Sequence, residues 1–368
     1  MKPIVSAIVV NYNSALLTQR AVSSILEDGA LAGEVEVFVV DNTATNRERM
    51  KLRTVSRYGV TLILNDINAG FGQACNRAYE QSRGEYILLL NPDAYLLPGA
   101  LPTLVRFLDS CRRAGAVGPR IYWDEAREFL LPPSLNMSPL VCVWDAIGRS
   151  SQLFVDFRSL LWRRYAVSVL RRSSPIQQKN LSGGHVLLRT KAIEASGGLF
   201  DPSFFLYYED SDLFRRMRSN KFELYIQPRA GVVHHYNQCL PVDGGEKHWY
   251  MQESYQKYVE KYDPAGRIRR FAAFLERRLP KGVPSEIETL GIVTEPIVLA
   301  VPRALEAGWV FELSPNRNLV PAATQFGRGP TVKFTQDAWR LLLPGYYYGR
   351  LGGLNKFLTH KIWQWIVE

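Results

Sequence analysis

The sequence predicts an α/β fold, a mostly parallel sheet flanked by helices, followed by a smaller β-rich module. Three observations point there. Short apolar runs alternate with helically spaced segments through the first 120 residues. Those runs end in polar residues at equivalent places. After Pro284 the texture changes to short runs broken by turns. Such alternation marks βαβ units.

The elements follow in order. Val5–Val10 is a buried strand ending in Asn11-Tyr12-Asn13, and Leu16, Leu17, Ala21 and Ile25 then recur at helical spacing. Val35–Val40 ends in Asp41-Asn42, and Val60–Leu64 ends in Asn65-Asp66. Ala74–Ser82 reads as a helix after a glycine loop, and Tyr86–Leu90 is a strand ending in Asn91-Pro92-Asp93. Pro132-Pro133 and Ser134–Pro139 read as loop, and 251–280 as helical and basic. The close holds strands, turns and an amphipathic segment, Phe357–Val367.

The strand ends turn the fold toward function. Asn11, Asp41, Asp66 and Asp93 each close a strand, and open α/β sheets bind ligands at that edge. Any one of them is explained as a turn former; all four together favour a site. No strand leads into G-x-G-x-x-G, and neither G-x-x-x-x-G-K-[ST] nor H-E-x-x-H occurs. The first two absences argue against a dinucleotide oxidoreductase and a P-loop NTPase.

Forty-five Lys and Arg against 35 Asp and Glu give a net charge of +10 over 368 residues. A basic surface suits anionic lipid, phosphorylated substrates or nucleic acid. Residues 158–172 carry five arginines and no acid, and 261–281 carry seven Lys or Arg against two acids. The first reads equally as an interfacial helix or a surface helix with extended arginines. The cysteines at 75, 111, 142 and 239 lack metal-like spacing and read as free thiols. No run of about 18 apolar residues occurs, so no membrane span is predicted.

Four constellations carry chemistry. Asp93, closing a buried strand, suits a hard divalent cation shared with a diphosphate. Asn68-Ala69-Gly70-Phe71-Gly72 opens a helix whose glycines permit close backbone approach to an anion, or simply a tight loop. Phe204–Arg218 places Glu209, Asp210 and Asp212 at a helix start, beside aromatics able to stack on a sugar. Capping alone favours acids there, while a partly desolvated carboxylate could act as a base. His234-His235 lie on a strand, where neighbouring side chains face opposite ways.

Seven stretches now resemble one family. They are VSAIVVNYN at 5–13, VEVFVVDN at 35–42, NAGFGQACNRA at 68–78, GEYILLLNPDAYL at 84–96, LSGGHVLLRTKAI at 181–193, GGLFDPSFFLYYEDSDLFRRMR at 197–218 and VVHH at 232–235. In this order they resemble a family 2 glycosyltransferase with the GT-A fold, near its rhamnosyltransferase-like branch. The resemblance covers roughly residues 4–260. It implies a nucleotide pocket lined by Asn11, Asp41, Asn68 and Gly70, with Asp41 facing the base. It matches Asp93 to the last aspartate of a D-x-D metal motif, with Asn91 in place of the first, which predicts weaker metal binding. It matches His234, with His235 as second choice, to the histidine holding metal or diphosphate. Asp210 of the Glu209-Asp210 pair matches the catalytic base, and Gly183 and Gly184 match a loop beside the donor sugar.

The implied activity is an inverting hexosyl transfer using Mg²⁺ or Mn²⁺. The donor would be a nucleotide sugar, with dTDP-L-rhamnose the first choice. The acceptor would be a glycan or a polyprenyl-diphosphate-linked glycan of bacterial cell-surface polysaccharide synthesis. The implied place is the cytoplasm, with peripheral contact at the inner face of the plasma membrane and no nucleic-acid partner. A nucleotidyltransferase would need a Gly- and Arg-rich loop where Asn11-Tyr12-Asn13-Ser14 stands. A non-catalytic nucleotide- or glycan-binding protein on the same scaffold is the alternative reading. The expected domains are a glycosyltransferase domain at 1–250, a basic helical linker at 251–283 and an accessory module at 284–368.

Overall fold

The structure is a computed structural model that describes residues 4–28, 34–55, 59–135, 137–138, 140–150, 152–236, 238, 244–278, 287–354 and 359–368. The boundary expected near 283, Cys239, Pro139, the tail of segment 261–281 and the start of segment 357–367 lie outside these. The chain divides into two compact units: 1–120, 134–137 and 172–264 form the first, and 121–133, 138–171 and 265–368 the second. The module expected at 284–368 lies within the second unit, which also draws in 138–171. Among the described residues, no helix is long and apolar enough to cross a membrane.

The first unit opens with β1 (Val5–Asn11), α1 (Ala15–Leu26), β2 (Val35–Asp41), α2 (Asn46–Leu52), β3 (Thr61–Leu64), α3 (Phe71–Tyr79), β4 (Tyr86–Leu90), β5 (Ala94–Leu96), α4 (Ala100–Ser110) and β6 (Ala114–Tyr122). β1 is buried along its whole length because parallel β2 and β4 flank it on both sides. That is why it reads as a continuous apolar run rather than an alternating one. α1 departs from the sequence reading at Leu16, which is exposed. Its inner stripe runs instead through Ala15, Thr18, Val22 and Ile25. Thr18 turns inward because its hydroxyl donates to the Asn11 side chain at 2.9 Å. α3 starts at Phe71, ahead of the expected Ala74, because Gly70 caps it at φ 83°.

The chain then contributes β7 (Phe129–Leu130), α5 (Val141–Ser150) and α6 (Gln152–Leu170) to the second unit. It returns to the first with β8 (Ile176–Gln178), β9 (His185–Arg189), α7 (Thr190–Ala195), α8 (Glu209–Ser219), β10 (Glu223–His234) and α9 (Gly244–Tyr262). The central sheet runs β3-β2-β1-β4-β9-β6. Its first four strands are parallel, and β9 is antiparallel to β4 and β6. One face carries Ile8, Val10, Phe38, Val40 and Leu89 against Phe214 and Met217 of α8. Each such buried side chain contributes about 1.5–3 kcal/mol. β10 pairs antiparallel with β5, placing His234 opposite Ala94.

The segment expected to be one helical stretch over 251–280 is two helices, α9 and α10 (Arg267–Arg278). Pro264 separates them, since proline lacks the amide hydrogen and its ring disfavours helix at the preceding residue. The second unit continues with β11 (Glu288–Ile292), β12 (Val298–Ala300), β13 (Trp309–Ser314), β14 (Ala323–Gly327), β15 (Thr331–Lys333), α11 (Gln336–Arg340), β16 (Gly345–Gly353) and β17 (Thr359–Val367). Its strands run β11-β17-β16-β13-β14-β7 over a core of Phe129, Trp309, Phe311, Trp339, Trp363 and Trp365. Inside it, Glu312 lies between two arginines. Arg350 donates to both its oxygens at 2.7 Å. Arg163 Nε also lies 2.7 Å from Oε2, but off the direction a hydrogen bond requires.

Candidate active site

The site is built on the carboxyl edge of the parallel strands. In-phase pairing of β1 with β2 sets Asn11 beside Asp41. Asn11 Nδ2 donates to Asp41 Oδ1 at 3.0 Å, and the Thr43 amide donates to the same oxygen at 3.0 Å. Ser14 and Thr18 hydroxyls hold Asn11 Oδ1 at 3.2 and 2.9 Å. Asp41 Oδ2 is buried without a hydrogen-bond partner, although Arg49 Nε stands 3.5 Å away. A buried carboxylate oxygen with an open acceptor position invites a ligand N–H.

Asn42 organises the next loop. Its Oδ1 accepts from Asn65 Nδ2 at 2.8 Å and Ala69 N at 3.2 Å. Its Nδ2 donates to Asn68 Oδ1 at 2.9 Å and Gly70 O at 3.0 Å. Asn68 thus spends its side chain shaping the loop. Gly70 is required there: at φ 83° a Cβ would lie 2.3 Å from the Phe205 carbonyl oxygen. Phe71 N donates to the same carbonyl oxygen at 2.9 Å, which ties the loop to the acid segment. Asp66 does not join the other strand ends, for its side chain is fully exposed. Asn65 takes the inward place.

At the end of β4 the chain turns through Asn91-Pro92-Asp93. The turn is closed by Ala94 N donating to Asn91 O at 3.0 Å. Asp93 is buried; its Oδ1 lies 3.1 Å from His234 Nε2 and its Oδ2 accepts from Gln238 N at 3.2 Å. Burial pushes the Asp93 carboxyl up, but the hydrogen bond and charge of His234 outweigh it and leave it below the ordinary value. His235 faces away, its ring 6.1 Å from that of Tyr95. His185 is a further member, its ring 5.2 Å from His234. Burial, then the His234 charge, lower its pKa to about 3, so it stays neutral. The sequence held a signal for His185, a polar residue opening the apolar run of β9.

The residues around Asp93 fit a divalent cation. His234 Nδ1 is buried without a partner. The Asp93 carboxylate lies beside the same ring, 3.1 Å from Nε2, and offers the oxygen ligand a hard divalent ion prefers. Among the described residues no cluster of three or more His, Cys, Asp or Glu surrounds this point. Such an ion would therefore take further oxygens from elsewhere, as from a diphosphate.

The acid segment comes to the same place. Tyr207 and Tyr208 both sit in left-handed backbone, φ 70° and 68°. Strain of this kind concentrates at functional sites, and here it launches α8 at Glu209. Asp210 Oδ2 accepts from Gly183 N at 3.1 Å, and Ser211 N and Oγ donate to Oδ1 at 2.6 and 3.2 Å. On Gly184, a Cβ would lie 2.6 Å from Asn91 Nδ2. The two glycines therefore sit between Asp210 and the Asn91-Pro92-Asp93 turn. Burial, then the Asp210 charge, raise the Glu209 pKa to about 8. Burial also raises Asp210, against the pull of its N–H donors.

The third acid is spent on structure. Asp212 is fully buried and holds Arg216 at 2.7 Å, Lys261 at 2.6 Å and the Tyr262 hydroxyl at 2.6 Å. Lys261, read from sequence as part of a basic surface segment, belongs to this clamp. The aromatics expected as a sugar-stacking wall are largely covered by α9. Phe205 stacks on Tyr250 at 4.7 Å, and Tyr208 packs on Tyr255 and Tyr258.

Against known proteins, the profile of Glycosyl transferase family 2 matches residues 6–195. The chain belongs to glycosyl transferase family 2. This glycosyltransferase is 28% identical over 265 residues to the N-acetylglucosaminyl-diphospho-decaprenol L-rhamnosyltransferase of Mycobacterium tuberculosis, covering 64% of this chain and 77% of the relative. It is 32% identical over 122 residues to the succinoglycan biosynthesis protein ExoO of Rhizobium meliloti, about a third of each chain. Among solved structures it is similar to GalNAc-T7 with UDP, GalNAc and Mn²⁺. The TM-score is 0.50 and the identity 14%, over 70% of this chain and 47% of that one. The fold is GT-A. The sheet order and the family match thus bear out the fold and family the sequence predicts.

Proposed function

We propose that this glycosyltransferase moves a sugar, with inversion at the anomeric carbon, from a nucleotide-sugar donor to a polyprenyl-diphosphate-linked glycan. L-Rhamnose from dTDP-L-rhamnose is the first choice of donor, on the 28% identity to the mycobacterial enzyme. The acceptor in that enzyme's name supports the lipid-linked glycan, and such an acceptor would present itself at the inner face of the membrane. The observation that carries the reading is the placement of Asp210 against Gly183 and of Asn91 against the adjacent Gly184.

Asn11 and Asp41 would bind the nucleotide base, with Asp41 Oδ2 accepting its N–H. Asp93 and His234 would hold Mg²⁺ or Mn²⁺, which when bound would stabilise the negative charge of the departing diphosphate. Asp210 takes the proton of the acceptor hydroxyl at Oδ2, which carries a single N–H donor and so keeps a lone pair free. The raised pKa of the buried pair suits proton acceptance near neutral pH. Attack on the anomeric carbon from the Asp210 side, with the diphosphate leaving toward Asp93, would invert its configuration.

The test presents purified protein with a panel of nucleotide sugars, with and without Mn²⁺, and follows nucleoside diphosphate release. Release from one donor that depends on Asp210 supports the reading and names the sugar. Absence of release together with no calorimetric binding of UDP, dTDP or GDP overturns it.

A further inference from the structure

The helices of the second unit carry an outer surface that the transfer reaction does not use. In α6, Leu153, Phe157, Leu161 and Tyr165 follow one another at four-residue intervals, which on a helix makes one row. Leu153, Phe157 and Leu161 are 83%, 54% and 47% exposed. Arg164 and Arg171 are exposed alongside. In α10, Ile268, Ala272 and Leu275 turn inward. Phe271 and Phe274 are 53% and 52% exposed. At 3.6 residues per turn these two rings share an arc of about 120° with Arg267, Arg270, Arg277 and Arg278. The Arg278 guanidinium lies 5.3 Å from the Phe274 ring centre. The only acid of α10, Glu276, falls outside that arc. α5 packs against both α6 and α10 and adds exposed Trp144, stacked on Phe154 at 5.4 Å.

We propose that the outer faces of α6 and α10 dock this protein on an anionic phospholipid surface. Aromatic and aliphatic side chains would enter the acyl boundary while the arginines meet the headgroups, as interfacial helices do. The composition of the faces selects this occupant. A second copy of the chain, docked face to face through α10, would set arginine against arginine, which like-charge repulsion disfavours. A nucleic acid would satisfy the arginines but not the row Leu153-Phe157-Leu161. No described helix can cross the bilayer, so the contact is lateral. The inference does not rest on the catalytic reading, because it concerns other residues and needs no substrate.

The test is vesicle co-sedimentation of the full chain, without substrates. Vesicles of phosphatidylcholine alone are compared with mixed phosphatidylglycerol and phosphatidylcholine. Binding is expected to the mixed vesicles only, and to weaken with salt. In the variant Arg267→Gln/Arg270→Gln, binding should fall about fivefold per arginine. Two apolar variants, Phe271→Ser/Phe274→Ser and Leu153→Ser/Leu161→Ser, should each weaken it further at unchanged circular dichroism. All these side chains are exposed, and donor turnover with a soluble acceptor should stay at the wild-type rate. Equal binding to both vesicle types, no binding to either, or vesicle binding unmoved in all three variants overturns the proposal. So does a concentration-dependent dimer that the variants abolish.

Discussion

Two buried carboxylate sites, one in each unit, are solved in opposite ways. In the second unit Glu312 is enclosed between Arg163 and Arg350, and Arg350 is itself held by the Ser159 hydroxyl at 2.8 Å. In the first, Glu209 is buried and Asp210 half-buried, yet among the described residues neither has a cationic partner. Glu209 lies against Gly72 and Asp210 against Gly183, and only N–H and O–H donors reach Asp210. The first arrangement spends charge on holding β13, β16 and α6 together. The second leaves the carboxyls without a counter-charge, which costs stability and is the arrangement the proposed base requires. Asp212, two residues beyond Asp210, belongs with Glu312: its ion pairs with Arg216 and Lys261 make it a clamp.

The sharpest way to test this contrast is Asp210→Asn. It should lower turnover by about 10²–10⁴-fold with little change in melting temperature, read by nucleoside diphosphate release and calorimetry. Glu312→Gln should do the reverse. It leaves two buried guanidinium groups without a counter-charge and should cost about 3–5 kcal/mol in denaturant unfolding. A loss of turnover at unchanged stability there would break the comparison.

His234→Ala comes next. It removes one proposed ligand and the hydrogen bond that holds the Asp93 carboxyl below its ordinary value, and should raise the Mn²⁺ concentration for half-maximal donor binding about 10–100-fold. The smallest effect concerns Glu209. Its folded pKa of about 8 exceeds the ordinary value of 4.5, so the folded state binds the extra proton between those limits. Stability should therefore fall as pH rises from about 4.5 toward 8. Glu209→Gln should remove that slope. The variant should melt about 2 °C or more above the wild type at pH 8 and match it at pH 4.

Much of the site was legible because it lies at strand ends. Continuous apolar runs locate β1, β2 and β4, and the polar residue closing each run locates the edge. That logic overreached at Asp66, since a turn former and a site residue look alike in sequence. The exposed position went to Asp66 and the inward one to Asn65 because the Asn42 amide captures Asn65. The same limit applies to Leu16, where helical period alone placed an apolar residue inward and the Thr18 hydroxyl shifted the stripe.

By itself the sequence determined the α/β fold, the family and the small set of residues that could do chemistry. Local period and residue type suffice for those. The tertiary structure decided how those residues divide the work. It set Gly183 and Gly184 between Asp210 and Asn91, chose His234 over His235 as the neighbour of Asp93, brought in His185, and gave Asp212 and Lys261 to structure. Each decision depends on which groups meet across long sequence separations. Burial and partnership, not residue type, determine whether a carboxylate becomes a base, a ligand or a clamp.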